Sequence, residues 1–163
     1  FEQALKGFSR YASGQDRLLV LIDYTKPSTE KRFYILDLLQ KKLLLSTYVA
    51  HGRGSGDNYA VAFSNRPGSY QSSLGFFRTG DTYMGKNGYS LFLDGLEKGI
   101  NDKARERAIV VHGANYADPA VLKGQQRLGR SLGCPALPPD ISKQVIDTIK
   151  GGVLLYIYGL NKA

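Results

Sequence analysis

A mostly β fold is what this sequence predicts, and three observations carry the prediction. Apolar runs are short, about five to eight residues, and rich in Leu, Ile, Val and Tyr. Turn formers are abundant, with 19 Gly and 6 Pro among 163 residues. Helical spacing appears in only two clear places. At 163 residues, 42% hydrophobic and 11% aromatic, the chain has the size and apolar content of one domain spanning residues 1–163.

From the start, Ala4, Leu5, Phe8 and Tyr11 recur at helical spacing, predicting a short amphipathic helix over Glu2–Tyr11 that ends near Ser13-Gly14 and props the domain. Strands are predicted over Arg17–Tyr24, Arg32–Asp37 and Lys42–Val49, with Lys26-Pro27-Ser28 and Gln40-Lys41 as turns: an antiparallel meander. Between His51 and Gly75 the composition shifts to Gly, Ser, Asn and Pro, predicting long surface loops of the kind that serve a site on a rigid sheet. Further strands are predicted at Gly75–Thr79, Tyr89–Leu93, Ala108–His112 and Val153–Tyr158, with a helical turn in the polar Asn101–Arg107 segment. A second helix follows Pro138-Pro139, with Asp140 as N-cap, Ile141, Val145, Ile146 and Ile149 on its apolar face, and Gly151-Gly152 as its stop.

The net charge of +8, from 22 Lys+Arg against 14 Asp+Glu, favours an anionic partner such as an acidic polymer, a lipid surface or a nucleic acid. The basic residues are scattered and nowhere interleaved with aromatics, which argues against a nucleic-acid groove. The longest apolar runs, Leu18–Ile22 and Val153–Ile157, are far too short to span a bilayer, so no transmembrane segment is expected. The chain has one cysteine and therefore no internal disulfide.

That cysteine, Cys134, follows the Gly-containing stretch Gly129-Arg130-Ser131-Leu132-Gly133. Successive backbone N–H groups in such a loop can converge on an oxyanion, as acyl transfer requires. A free cysteine is commonly a small buried hydrophobe, but this neighbourhood is polar and rich in Gly and Pro. His112 ends the apolar run Ala108–Val111 and precedes Gly113, where a strand can hold an imidazole at a cleft edge. A thiol and a distant histidine make a candidate nucleophile and base. A metal site built from His51, His112 and Cys134 ranks last, because no close-spaced ligand pair anchors it.

The order His112-Gly113, then Ser131-x-Gly133-Cys134, resembles the signature of YkuD-type L,D-transpeptidases, and Ser72-Ser73-Leu74-Gly75-Phe76-Phe77 looks like a further loop of that family. The chain resembles more closely the murein L,D-transpeptidase catalytic-domain subgroup, through Asp23–Ser28, Ala50-His51-Gly52, Gly85–Leu91, Arg105–Ala108 and Gly133–Pro138. Leu132 stands where the wider family usually has a second His, Pro135-Ala136 where it has an aliphatic-Arg pair, and Ser72-Ser73 where it has Thr-Pro.

Strand count and resemblance together give the expected fold: mainly β, a mixed β-sheet sandwich or barrel of the L,D-transpeptidase catalytic type with one or two short packed helices. The resemblance implies an envelope protein, periplasmic or secreted, that needs no cofactor. Its implied substrates are peptidoglycan stem peptides as donor and acceptor, with a carbapenem-type β-lactam as a candidate inhibitor. Cys134 would attack the carbonyl of the third stem residue, with diaminopimelate expected there. His112 would serve as base, oriented by a backbone carbonyl or Ser131, and the N–H groups of Leu132, Gly133 and Cys134 would form the oxyanion hole. Arg130, His51, Lys86, Asn87 and Tyr89 are the candidates for substrate contacts, with Tyr83 as a further apolar wall. Two alternatives stay open: an L,D-carboxypeptidase or cross-link hydrolase with water as acceptor, and a wall-binding module without turnover.

Overall fold

The computed structural model describes residues 1–13 and 16–162. Eight strands form one mixed sheet in the order β3-β2-β1-β8-β4-β5-β6-β7. β1 (Leu18–Asp23), β2 (Phe33–Asp37) and β3 (Lys42–Thr47) are the expected antiparallel meander. β8 (Leu154–Tyr158) then inserts between β1, to which it is parallel, and the antiparallel β4 (Gly75–Gly85). The sheet continues through β5 (Gly88–Gly95) and β6 (Val110–Gly113) to the two-residue β7 (Ala136–Leu137), parallel to β6.

Just beyond β3, Ala50 pairs with Ala136 on the opposite edge strand, its N–H donating to Ala136 O at 2.8 Å and the reverse bond closing at 3.2 Å. This bridge bends the sheet towards a nearly closed barrel and satisfies edges that would otherwise be open.

β1 is apolar on both faces because it is covered on both. Val20 and Ile22 enter the main core with Phe33, Phe77, Leu91, Val111, Leu155 and Ile157. Leu19 on the other face meets Leu154 and Ala4 of α1 (Glu2–Tyr11), so this helix is the expected prop. α2 (Pro139–Ile149) plugs the main core with Val145, Ile146 and Ile149, all fully buried. Burial of each such side chain stabilises the fold by about 1.5–3 kcal/mol.

Four expectations need correction. β4 runs six residues past the expected end at Thr79, because Gly80-Asp81 form a bulge between Thr79 and Thr82 that the strand continues through. Asp140 lies inside the first turn of α2 and makes no side-chain cap; Pro138 is the N-cap and Pro139 supplies a preset φ at the first helical position. The 101–107 segment forms consecutive turns with mixed hydrogen-bond spacings, Ala104 N–H to Asn101 O, Arg107 N–H to Lys103 O and Ile109 N–H to Ala104 O. Asn101 holds it to β4, donating from Nδ2 to Leu74 O and Phe76 O at 2.9 Å each. The 51–74 stretch is irregular as expected, yet much of it is internal: His51, Ser55, Ser72 and Ser73 are buried, with serine hydroxyls bonding backbone groups. The expected end of α1 near Gly14 lies outside the described residues; the helix ends at Tyr11.

Candidate active site

β6 and the loop ahead of β7 carry the two side chains expected to react, His112 and Cys134. His112 pairs in register with Ala136, two residues after Cys134, so the expected base lies on the strand beside the loop that carries the expected nucleophile. Cys134, 9% exposed, lies against the entrance to β6. Its Sγ accepts from Val110 N–H at 3.4 Å and donates to Ala108 O at 3.3 Å. Among the described residues no hydrogen bond joins His112 to Cys134, so the resting thiol is held by backbone.

The loop is shaped by its own serine. Ser131 Oγ donates to Cys134 O at 2.6 Å and accepts from Gly133 N–H at 3.1 Å. Ser131 N–H donates to His51 O at 2.9 Å and Arg53 N–H to Ser131 O at 2.8 Å, so the cysteine loop is laced to the strand-like 51–53 segment. Gly133 has a φ of 129°, and a Cβ there would lie 3.0 Å from both Gln71 O and Ile109 Cδ1. Only glycine suits that position.

His112 is buried, and its Nδ1–H donates to Gly113 O at 2.9 Å. The carbonyl accepts only, so it fixes the tautomer and leaves Nε2 with a lone pair, the form a general base needs. Of the two orienting groups expected, the backbone carbonyl is the one present; Ser131 shapes the cysteine loop instead. Burial pulls the His112 pKa down, partly opposed by the Gly113 bond. Burial pushes the Cys134 thiol up, opposed by the Val110 N–H and by Arg107. A neutral thiol beside a neutral imidazole is therefore the resting state near pH 7.

Gly133 N–H is taken by Ser131 Oγ, which removes it from the expected oxyanion donors. Leu132 and Cys134 keep N–H groups without a protein acceptor among the described residues. Arg130 Nη1 lies 3.1 Å from Asp57 Oδ1 and 3.4 Å from Gly56 O, so its cation is already partnered at the loop surface.

His51 does not line a cleft. It is 1% exposed, its Nδ1 accepts from Arg32 Nη2 at 2.9 Å, and its Nε2–H donates to Gly56 O at 3.1 Å. Both nitrogens are spent, and among the described residues no three His, Cys, Asp or Glu side chains gather as a metal would require. Tyr89 is also committed elsewhere, donating to Asp147 of α2 at 2.6 Å under the Lys143 ammonium. Tyr83 stacks on Phe92 at 4.4 Å. Lys86 and Asn87 form the exposed two-residue tip of the β4–β5 hairpin and make no side-chain hydrogen bond among the described residues. The structure thus brings together Cys134, His112 and Ser131, and leaves Arg130, Lys86, Asn87, Tyr89 and His51 outside that group.

Two neighbours of the thiol are not among the candidate site residues of the sequence. Tyr116 is pushed up to about 12 by burial and, to a lesser degree, by a thiolate at Cys134. Arg107, half-buried, exchanges a favourable interaction with Cys134. The Asn115-Tyr116 stretch has no distinguishing pattern, and Arg107 reads as part of a solvated polar segment.

The family model for the L,D-transpeptidase catalytic domain matches residues 1–158. The chain belongs to this L,D-transpeptidase catalytic-domain family. Solved structures agree at the level of fold. The helical cell shape determining protein Pgp2 of Campylobacter jejuni superposes with a TM-score of 0.60 at 15% identity, over 91% of this chain and 50% of that one. The L,D-transpeptidase of Mycobacterium smegmatis gives 0.52 at 13%, over 88% and 59%. An L,D-transpeptidase of Stackebrandtia nassauensis gives 0.53 at 15%, over 95% and 62%. The chain thus spans about half to three-fifths of the length of these structures. Among curated proteins none matches the sequence significantly. No helix among the described residues is long and apolar enough to cross a membrane.

Proposed function

We propose that this L,D-transpeptidase-family domain is a cysteine acyltransferase that acts on peptidoglycan tetrapeptide stems in the cell envelope, periplasmic or secreted. The observation that carries the reading is the tautomer of His112: with Nδ1–H bound to Gly113 O, the free Nε2 can take a proton on the strand beside the only cysteine.

In this reaction Nε2 accepts the Sγ proton, and the thiolate so formed attacks the carbonyl carbon of the third stem residue. The N–H groups of Leu132 and Cys134 receive the developing oxyanion. Collapse breaks the bond to the terminal D-residue, whose amine takes the proton from His112, and a thioester remains on Cys134. An acceptor amine from a second stem, deprotonated by Nε2, then displaces sulfur and gives a 3-3 cross-link; the thiolate recovers the proton. The neutral resting pair fits this order of events, because the base is free to receive a proton that the nucleophile still holds.

A β-lactam offers the same Sγ an activated carbonyl, and one of the fold's neighbours, LdtMt1, was solved in complex with imipenem. Acylation of Cys134 by a carbapenem belongs to the same proposal.

Incubation with purified disaccharide-tetrapeptide and separation of the products by liquid chromatography and mass spectrometry tests it. Cross-linked dimers with release of the terminal residue are the expected outcome. Tripeptide without dimer makes water the acceptor and the protein an L,D-carboxypeptidase. Unchanged substrate together with retained binding to sacculi overturns the enzyme in favour of a wall-binding module.

A further inference from the structure

Arg107 precedes Ala108, whose carbonyl accepts the Cys134 thiol. Ala108 has a φ of 56°, a left-handed conformation that costs a non-glycine residue about 1 kcal/mol. Past this kink the Arg107 guanidinium enters the 64–73 loop. It donates from Nη1 to Ser64 O at 2.9 Å and Ser73 Oγ at 2.6 Å, and from Nη2 to Ser69 Oγ at 3.1 Å and Gln71 O at 2.8 Å. Tyr70, inside the same loop, is left-handed too, with a φ of 56°. Strained backbone on both sides of one cation is a feature that surrounding structure must enforce.

All four acceptors are neutral. Arg17, Arg78, Arg105 and Arg130 each face an aspartate; Arg107 has none among the described residues. Its positive charge is fixed yet unneutralised, and it lies against the cysteine loop: Nη2 is 3.6 Å from where a Cβ on Gly133, the residue before Cys134, would stand, near enough for its charge to favour the thiolate.

We propose that Arg107 is the counter-cation of the Cys134 thiolate, a positioning residue whose rigidly anchored charge acts through the nucleophile. The proposal rests on the reading of Cys134 as nucleophile. When the Sγ proton passes to His112 Nε2, a thiolate and an imidazolium form, and the anion requires a charge that does not itself give up a proton. Arg107 meets that need throughout the cycle, whereas His112 must deliver its proton to the leaving amine. The other titratable groups around Sγ are Tyr24 and Tyr116, both pushed up to about 12 mainly by burial and therefore neutral over the working range.

The test uses the intact protein and no peptidoglycan. The pH dependence of Cys134 alkylation by iodoacetamide, followed by intact mass, reports the thiolate; with one cysteine the adduct is unambiguous. Arg107→Gln removes the charge, Ser73→Asp neutralises it in place, and Arg107→Lys keeps it. The first two are expected to raise the alkylation midpoint by about one pH unit, a tenfold loss of thiolate at a given pH, and Arg107→Lys by less than half of that. Should Arg107→Gln fail to fold, Ser73→Asp decides. An unchanged midpoint in both charge-removing variants, or an equal shift in Arg107→Lys, overturns the proposal by making the residue only a loop anchor. A wild type that shows this alkylation behaviour yet never acylates on stem peptides refutes the acyltransferase reading instead.

Discussion

Arg32 Nη2 donates to His51 Nδ1 at 2.9 Å, joining a fully buried guanidinium to a neutral imidazole, with no carboxylate among the described residues bonded to either. Arg32 also donates to Val49 O, at 3.0 Å from Nε and 2.6 Å from Nη2, and to Lys26 O at 3.0 Å, while its guanidinium lies 4.8 Å from the Tyr24 ring centre. Burial lowers its pKa to about 10, so the cation persists at neutral pH. The pair braces the segment to which Ser131 is laced, and thereby the floor of the cysteine loop.

Acid should loosen this brace. Burial, followed by the Arg32 charge, pulls His51 down to about 4, against an ordinary value of 6.5. A depressed histidine binds fewer protons folded than unfolded, so its contribution is complete above about pH 6.5 and is lost as pH falls through 4. The full effect is on the order of 3 kcal/mol. Urea unfolding between pH 4 and 7 should show stability rising with pH, and His51→Gln should flatten the profile; an identical slope in the variant contradicts the assignment.

Asn101 should be far more costly to lose than a polar loop residue usually is. It is fully buried, bonds the carbonyls of Leu74 and Phe76 through Nδ2, and accepts from Glu97 N–H at 2.9 Å. Asn101→Ala leaves Leu74 O and Glu97 N–H without partners, while Phe76 O keeps Leu96 N–H, and should cost about 2–4 kcal/mol, measured by urea denaturation. A loss below 0.5 kcal/mol, the usual scale for a surface substitution, refutes the clamp.

Arg130→Ala should do little to the fold. Its ion pair with Asp57 is exposed on the aspartate side, and pairs of this kind contribute about 0–1 kcal/mol. Thermal unfolding should shift by no more than a few degrees, with the Cys134 alkylation midpoint unchanged.

Ala108→Gly should hold or gain stability, unlike most substitutions to glycine. Relief at a φ of 56° outweighs the added freedom of the unfolded chain by about 0.5 kcal/mol. A loss above 1 kcal/mol contradicts the strained assignment.

What the sequence revealed follows from whether the determining forces are local. Spacing of Ala4, Phe8 and Tyr11 sufficed for α1, and Cys134 and His112 stood out because few residue types can do such chemistry. His51 looked like a loop residue among glycines because its burial depends on Arg32, nineteen positions earlier. Tyr89 looked like a cleft wall because nothing nearby in sequence reveals the reach to Asp147. Arg107 was hidden twice, by a left-handed neighbour that propensity does not predict and by acceptors more than thirty residues away. The length of β4 past Thr79 was hidden because a bulge at Gly80-Asp81 interrupts the alternation on which strand recognition relies.

Intact-mass spectrometry of the protein incubated with purified disaccharide-tetrapeptide, beside Cys134→Ala, tests the central claim most directly. The account predicts a thioester adduct equal to the stem less its terminal residue on the wild type and none on the variant. Release of the terminal residue by Cys134→Ala at the wild-type rate would contradict it.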